Sequence, residues 1–258
     1  MPDTLFLLVA AFFSGFIDSI AGGGALIQVP ALLITFPAAS VATLFGTNKL
    51  ASFCGTSTAA RQYAQAIGID WQATLPAAIS AFVFSFLGAT AVSLIRTDVM
   101  RPVVLALLVA IAAYTFTRKE FGSLHAPRLS ASGQRRWAIL TGVVLGFYDG
   151  FFGPGTGSFL MFVFIGVFGF NFLSASASAK FVNFSTNLAA ILYFAATDNI
   201  LYRFALPMAA CNMLGSFLGS RLAVLKGSRF VRMFFLVVVT GMIARLAWDV
   251  FQVSQYLR

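Results

Sequence analysis

Four ionisable side chains stand inside otherwise apolar stretches of this chain, and they form two matched pairs, Asp18 with Asp149 and Lys49 with Lys180. A lysine in the middle of an apolar membrane segment costs ~2.5–3.5 kcal/mol on insertion scales, so its presence needs a partner or a purpose. Helical spacing groups Lys49 with Ser52 and Thr56, and Lys180 with Asn183 and Asn187, so each half offers a polar stripe headed by a cation. The motif Gly46-Thr47-Asn48-Lys49 adds Thr47 and Asn48. Each lysine either serves a buried site or reaches out to an interface along its apolar stem. The aspartates either bond free N–H groups or neutralise a lysine, or they titrate as coupling groups.

Two glycine clusters accompany these residues, Gly22-Gly23-Gly24 and Gly153-Pro154-Gly155-Thr156-Gly157. A helix that starts at such a cluster presents unpaired backbone N–H groups and the positive end of its dipole, which suits an anion. Glycine also lets a ligand approach the backbone closely, and Thr156 and Ser158 add hydroxyls. Close packing of helices through small residues is the plainer reading, and the two can coexist. Together the clusters and lysines predict a pocket biased toward negative charge, with Asn48, Asn183 and Asn187 orienting what it holds.

The pairs share one register. The offset 149 − 18 = 131 also carries Lys49 onto Lys180, Phe53 onto Phe184, Pro76 onto Pro207, Arg101 onto Arg232, and Ser85-Phe86-Leu87-Gly88 onto Ser216-Phe217-Leu218-Gly219. Charged residues are scarce here, so matched Asp, Lys and Arg mark an internal duplication.

Composition sets the solvent. Of 258 residues 59% are apolar and 10% charged, with 30 Phe, whereas a soluble domain carries about a quarter charged residues. The expected class is an all-α membrane protein, a polytopic helical bundle of two inverted repeats. The N-terminus has no basic residue before its first apolar run, so that run is expected to be a retained span. The net charge of +9 falls mostly between apolar runs, which explains it by membrane orientation and not by nucleic acid.

The first half reads as segments at about 4–21, 24–37, 42–66, 72–95 and 99–117, and the second as segments at about 136–152, 156–170, 174–197, 201–225 and 230–252. The expected organisation is an N-terminal repeat over 1–117, a cytoplasmic linker over 118–135 and a C-terminal repeat over 136–258. About 20 apolar residues are needed to span a bilayer, so 24–37 and 156–170 are too short after a glycine break. They read as broken or re-entrant helices, which persist at membrane depth only against a cavity or protein. This gives 8–10 segments in all, by the ~20-residue criterion. Arg61, Arg118, Lys119, Arg128, Arg135, Arg136, Arg221, Lys226, Arg229 and Arg232 gather on one side only if each half crosses an odd number of times. The positive-inside tendency then makes the halves inverted, the linker cytoplasmic and both termini periplasmic.

No nucleophile–base set, zincin motif or nucleotide loop is visible, and His125 is the single histidine, so no enzyme and no cofactor or metal is expected. Cys54 and Cys211 lie in apolar segments, outside the repeat register.

The stretch Gly15 to Pro30, with Gly46-Thr47-Asn48-Lys49, resembles the signature of the TauE/SafE family of bacterial sulfite exporters. Gly146 to Gly157, with Ala179-Lys180, Asn183 and Asn187, is similar to that family's partner repeat. One departure is Ala25, where a fourth glycine is common. The resemblance implies a secondary transporter of the bacterial inner membrane for sulfite, sulfoacetate or a related organic anion. An anion channel built on the same residues is the alternative. The implied partners are the anion, the lipid bilayer and H+ or Na+ as coupling ion, with a homodimer as the assembly to test.

Overall fold

The computed structural model describes residues 2–94 and 129–256. The expected segment at 99–117 and most of the linker lie outside them. The described residues form helices α1 (Pro2–Ala21), α2 (Ala25–Thr35), α3 (Val41–Ala66), α4 (Trp71–Leu94), α5 (Ala131–Phe151), α6 (Thr156–Gly166), α7 (Phe172–Ala196) and α8 (Tyr202–Tyr256). This is the all-α membrane architecture the composition requires.

Local chemistry sets the ends. Ser40 caps α3 by accepting from the Thr43 N–H, and Asn171, 131 positions on, caps α7 by accepting from the Ser174 N–H. Each such cap satisfies one orphan donor of a first turn. Helix α5 starts at Ala131, five residues before the expected apolar run, because Ser130 caps it and accepts from Gly133. The polar first turn with Gln134 and Arg135 is therefore helix and not linker. Helix α8 is interrupted at Gly227, whose φ of 71° breaks the helical path where the sequence places the junction between its last two segments.

Thr4–Ala21, Trp71–Leu94 and Tyr202–Val231 are long and apolar enough to cross a membrane. Helices α3 and α7, with 26 and 25 residues, are also long enough, but they spend their polar residues inward. Helices α2 and α6 have 11 residues each. At 1.5 Å per residue that is roughly 16 Å, about half a bilayer core. Neither crosses alone.

The halves exchange elements. The most extensive packing joins α1 to α8 and α4 to α5, so each half's first helix lies against the other half's fourth. Small residues allow the approach. A Cβ at Gly15 would strike the Asn212 backbone, and one at the equivalent Gly146 would strike Ala81. The hydrogen bonds repeat the exchange. Ser85 Oγ donates to the Thr186 carbonyl at 2.8 Å, and Ser216 Oγ donates to the Gly55 carbonyl at 2.7 Å. Some contacts map onto themselves, such as stacked Phe53 and Phe184 with centroids 5.1 Å apart. Contacts that recur when the halves are swapped describe a pseudo-two-fold relation, with Phe53 and Phe184 at its centre.

Candidate functional site

The two helix breaks meet in the middle. Gly22, Gly23, Gly153 and Gly155 all have φ between 77° and 91°, a region in which only glycine is comfortable. A Cβ on Gly22 would fall onto the Gly157 backbone, and Ser158 Oγ donates to the Ala21 carbonyl at 3.1 Å. The breaks thus brace each other across the halves. Gly24 and Gly155 precede α2 and α6, and neither helix has a side-chain cap. The Leu26 and Ile27 N–H groups donate to the Gly23 and Gly24 carbonyls and the Thr156 N–H to the Gly153 carbonyl, which leaves those of Ala25, Gly157 and Ser158 for other partners.

The four buried charges pair across the halves. Lys49 Nζ donates to Asp149 Oδ2 at 2.6 Å, and Lys180 Nζ donates to Asp18 Oδ2 at 2.7 Å. Swapping the halves turns one pair into the other, because 18 and 49 map onto 149 and 180. Asp18 does a second job, since its Oδ1 accepts the Gly24 N–H at 3.2 Å. One carboxylate therefore quenches both a helix start and a lysine. Lys49 and Lys180 are 3% and 0% exposed, so neither reaches for an interface along its stem.

Three of these four, Asp18, Lys49 and Asp149, border a cavity of about 360 Å³ of atom-free space, counting the part open to solvent. Helix α3 contributes Asn48, Lys49, Ser52 and Thr56, and α7 contributes Asn183 and Asn187. The breaks contribute Gly23, Gly153, Gly155, Thr156 and Gly157, with Asp18, Asp149 and Ala25 completing the wall. Asn187 Nδ2 donates to Thr56 Oγ1 at 3.4 Å, another contact between equivalent positions, which sets the cavity at the pseudo-symmetric centre. The oxygens Asn48 Oδ1 and Asn183 Oδ1 are buried with no partner.

Several residues singled out from sequence stand elsewhere. Lys180 is sealed behind the Asp18 carboxylate and does not line the cavity. Thr47 turns away, donating to the Thr43 carbonyl and accepting the Leu201 N–H at 3.0 Å. Gly22 packs on Gly157, and Gly24 packs on Ser14 and Asp18. The expectation of a net cationic pocket is revised as well, because two carboxylates balance two ammoniums. What remains for an anion is the N–H groups of amides and helix starts, plus any lysine hydrogen that an incoming anion wins from a carboxylate. Ser52, Thr56 and Gly157 belong with the site residues. The i, i+4, i+8 series Asn48–Ser52–Thr56 carries the signal for the first two.

The family profile described as "Sulfite exporter TauE/SafE" matches residues 7–246. The chain is 37% identical over 246 residues to a Sinorhizobium "Probable membrane transporter protein ORF9", covering 95% of this chain and 92% of that one. It is 35% identical over 251 residues to the Escherichia coli K12 "Probable membrane transporter protein YfcA", covering 94% and 89%. A Haemophilus influenzae "Probable membrane transporter protein" is 34% identical over 244 residues, covering 94% of each chain. No solved structure matches. A family match across nearly the whole chain, on a helical membrane fold with broken helices meeting at its centre, places this protein in the TauE/SafE family of membrane transporters.

Proposed function

We propose that the protein is a secondary carrier that moves a small anion across the bacterial inner membrane by alternating access. Sulfite, sulfoacetate and related organosulfur or organic anions are the candidate substrates. The observation that carries the reading is the cavity itself, built where the starts of α2 and α6 converge beside Lys49 and a ring of amides and hydroxyls. Helix starts of this kind attract anions, and broken helices at the repeat interface are where secondary transporters hold substrate.

In this reading the pseudo-two-fold axis lies in the membrane plane, so the halves are inverted, the linker is cytoplasmic and both termini are periplasmic. Lys49 holds substrate directly, while Lys180 positions Asp18. The substrate competes with Asp149 for the Lys49 ammonium, and H+ is the coupling ion, with Na+ the alternative. Rocking one set of helices against the other then exposes the site to either side.

The test is uptake of labelled sulfite into proteoliposomes. Lys49→Ala is expected to lower uptake at least tenfold while the protein stays monodisperse. Uptake at the wild-type rate in that variant overturns the site assignment. Counterflow by the wild-type protein marks a carrier, whereas single-channel currents would favour the anion channel.

A further inference from the structure

Two amides in the cavity wall, Asn48 of α3 and Asn183 of α7, each carry an oxygen that bonds to nothing. The residues are only 3% and 6% exposed, and both line the cavity. On each, Oδ1 is buried without a partner among the described residues. For Asn183 the surroundings set which way round the amide sits. A Cβ built on Gly157 would lie 3.0 Å from its Nδ2 and 3.5 Å from Asp18 Oδ1. The N–H end thus shares that corner with a carboxylate, and the oxygen is the end left over. A buried acceptor without a donor is a standing cost to the fold. The architecture does not require it, because the equivalent positions in the other half hold Ala179 in place of Asn48 and Ser52 in place of Asn183.

The same wall has donors to spare. The Lys49 ammonium is a triple donor, and among the described residues it bonds only to Asp149. The N–H groups of Ala25 and Gly157, both in the wall, are open as well. The charges are balanced. Asp18 of α1, Lys49 of α3 and Asp149 of α5 border the cavity, and Lys180 of α7 stands behind Asp18. An oxyanion made only of acceptors would answer the donors but set its other oxygens against the two orphan carbonyls. As a dianion it would also bring two charges into a wall that is already neutral, at a heavy desolvation cost. An oxyanion that keeps one proton carries a single charge, acceptors for the N–H groups and an O–H for an orphan oxygen.

We propose that Asn48 and Asn183 determine specificity at the central cavity by accepting the O–H of a singly protonated oxyanion, so that the species carried is the hydrogen form and not the bare dianion. Sulfite bearing one proton belongs to this class, and sulfoacetate with both acid groups ionised does not. The coupling proton then rides on the substrate itself, and neither aspartate has to be its carrier.

This inference rests on the small-anion reading above, and the experiment separates the two. Affinities of purified protein for methylphosphonate and methanesulfonate are measured by ligand-dependent thermal shift, at a pH below the second ionisation of the phosphonate. Both probes are then monoanions of nearly one shape, and they differ by one O–H. The wild-type protein is expected to bind methylphosphonate at least ~10-fold more tightly, since the sulfonate forgoes a bond and opposes an oxygen to a buried carbonyl. Raising the pH past that ionisation should shrink the ratio by about tenfold per unit, as the protonated form disappears. Methanesulfonate keeps its charge throughout, so it reports any titration of Asp18, Asp149 or the lysines. Asn48→Ala and Asn183→Leu should each cut the low-pH ratio by about threefold or more, and together bring it to about one. Asn48→Ala installs the residue that the second half already holds at the equivalent position, which keeps one foldable variant in hand. Amides with a purely structural role would leave the ratio unmoved. Equal wild-type affinities, a preference for the sulfonate, or a preference that survives both substitutions overturns the acceptor role and leaves the small-anion site standing. Binding of neither probe at any pH removes both.

Discussion

Substituting Asp149 by Asn should destabilise the protein far more than losing one negative charge suggests. Lys49 and Asp149 are 2.6 Å apart, with side chains 4% and 6% exposed. Removing one partner of such a pair strands the other in a poor dielectric, typically at about 3–5 kcal/mol. For a chain of this size each kcal/mol moves the unfolding midpoint by roughly 2–4 °C, so Asp149→Asn or Lys49→Met alone should lower it by about 6–20 °C. The double variant Lys49→Met/Asp149→Leu removes both charges and fills the space with apolar atoms, which is often neutral. Its midpoint should return to within a few degrees of the wild type. The assay is intrinsic-fluorescence unfolding of purified protein in detergent, read as a double-mutant cycle. If the losses of the two single variants simply add in the double, the charges are not coupled and the reciprocal pairing is wrong. The equivalent cycle at Lys180 and Asp18 should have the same sign.

Other expectations follow from the same geometry. Gly22→Ala should prevent recovery of monodisperse protein, since its φ is +77° and its Cβ would meet the Gly157 backbone. Gly68→Ala, at φ +73° with nothing within 4 Å, should cost only about 1 kcal/mol of backbone strain and serves as the control. Ser85→Ala and Ser216→Ala each remove one cross-half hydrogen bond, and each should cost about 1–3 kcal/mol in unfolding experiments, additively. Thr47→Val should lower stability by about 1–3 kcal/mol because it strands the Leu201 N–H, yet leave the Km for sulfite unchanged. A raised Km would return Thr47 to the binding site.

Much of this architecture is legible in the sequence because ionisable residues are scarce in it. Asp18, Lys49, Asp149 and Lys180 stand out against apolar neighbours, so their common offset reports a duplication that aliphatic matches alone could not. The glycine clusters likewise report where two helices must stop. Which charges meet is not legible. Lys49 and Asp149 lie 100 positions apart, and spacing along one helix says nothing about how another half docks against it. The same limit hid the fate of Thr47, whose hydroxyl is claimed by a backbone N–H 154 positions away. It also hid the division of labour among adjacent glycines, where Gly22 packs and Gly23 lines the cavity.

The exchange of carboxylates between halves bears on how the protein is made. Lys49 enters the bilayer well before its counterion exists, since 100 further residues must be polymerised before Asp149 appears. At ordinary elongation rates of about 5–20 residues per second, that delay is on the order of 5–20 s. Throughout it the nascent N-terminal portion carries Lys49 and Asp18 without the partners they hold in the folded protein. Biogenesis should therefore be post-insertional at its core, with the first helices waiting, loosely assembled or chaperoned, until their complement arrives.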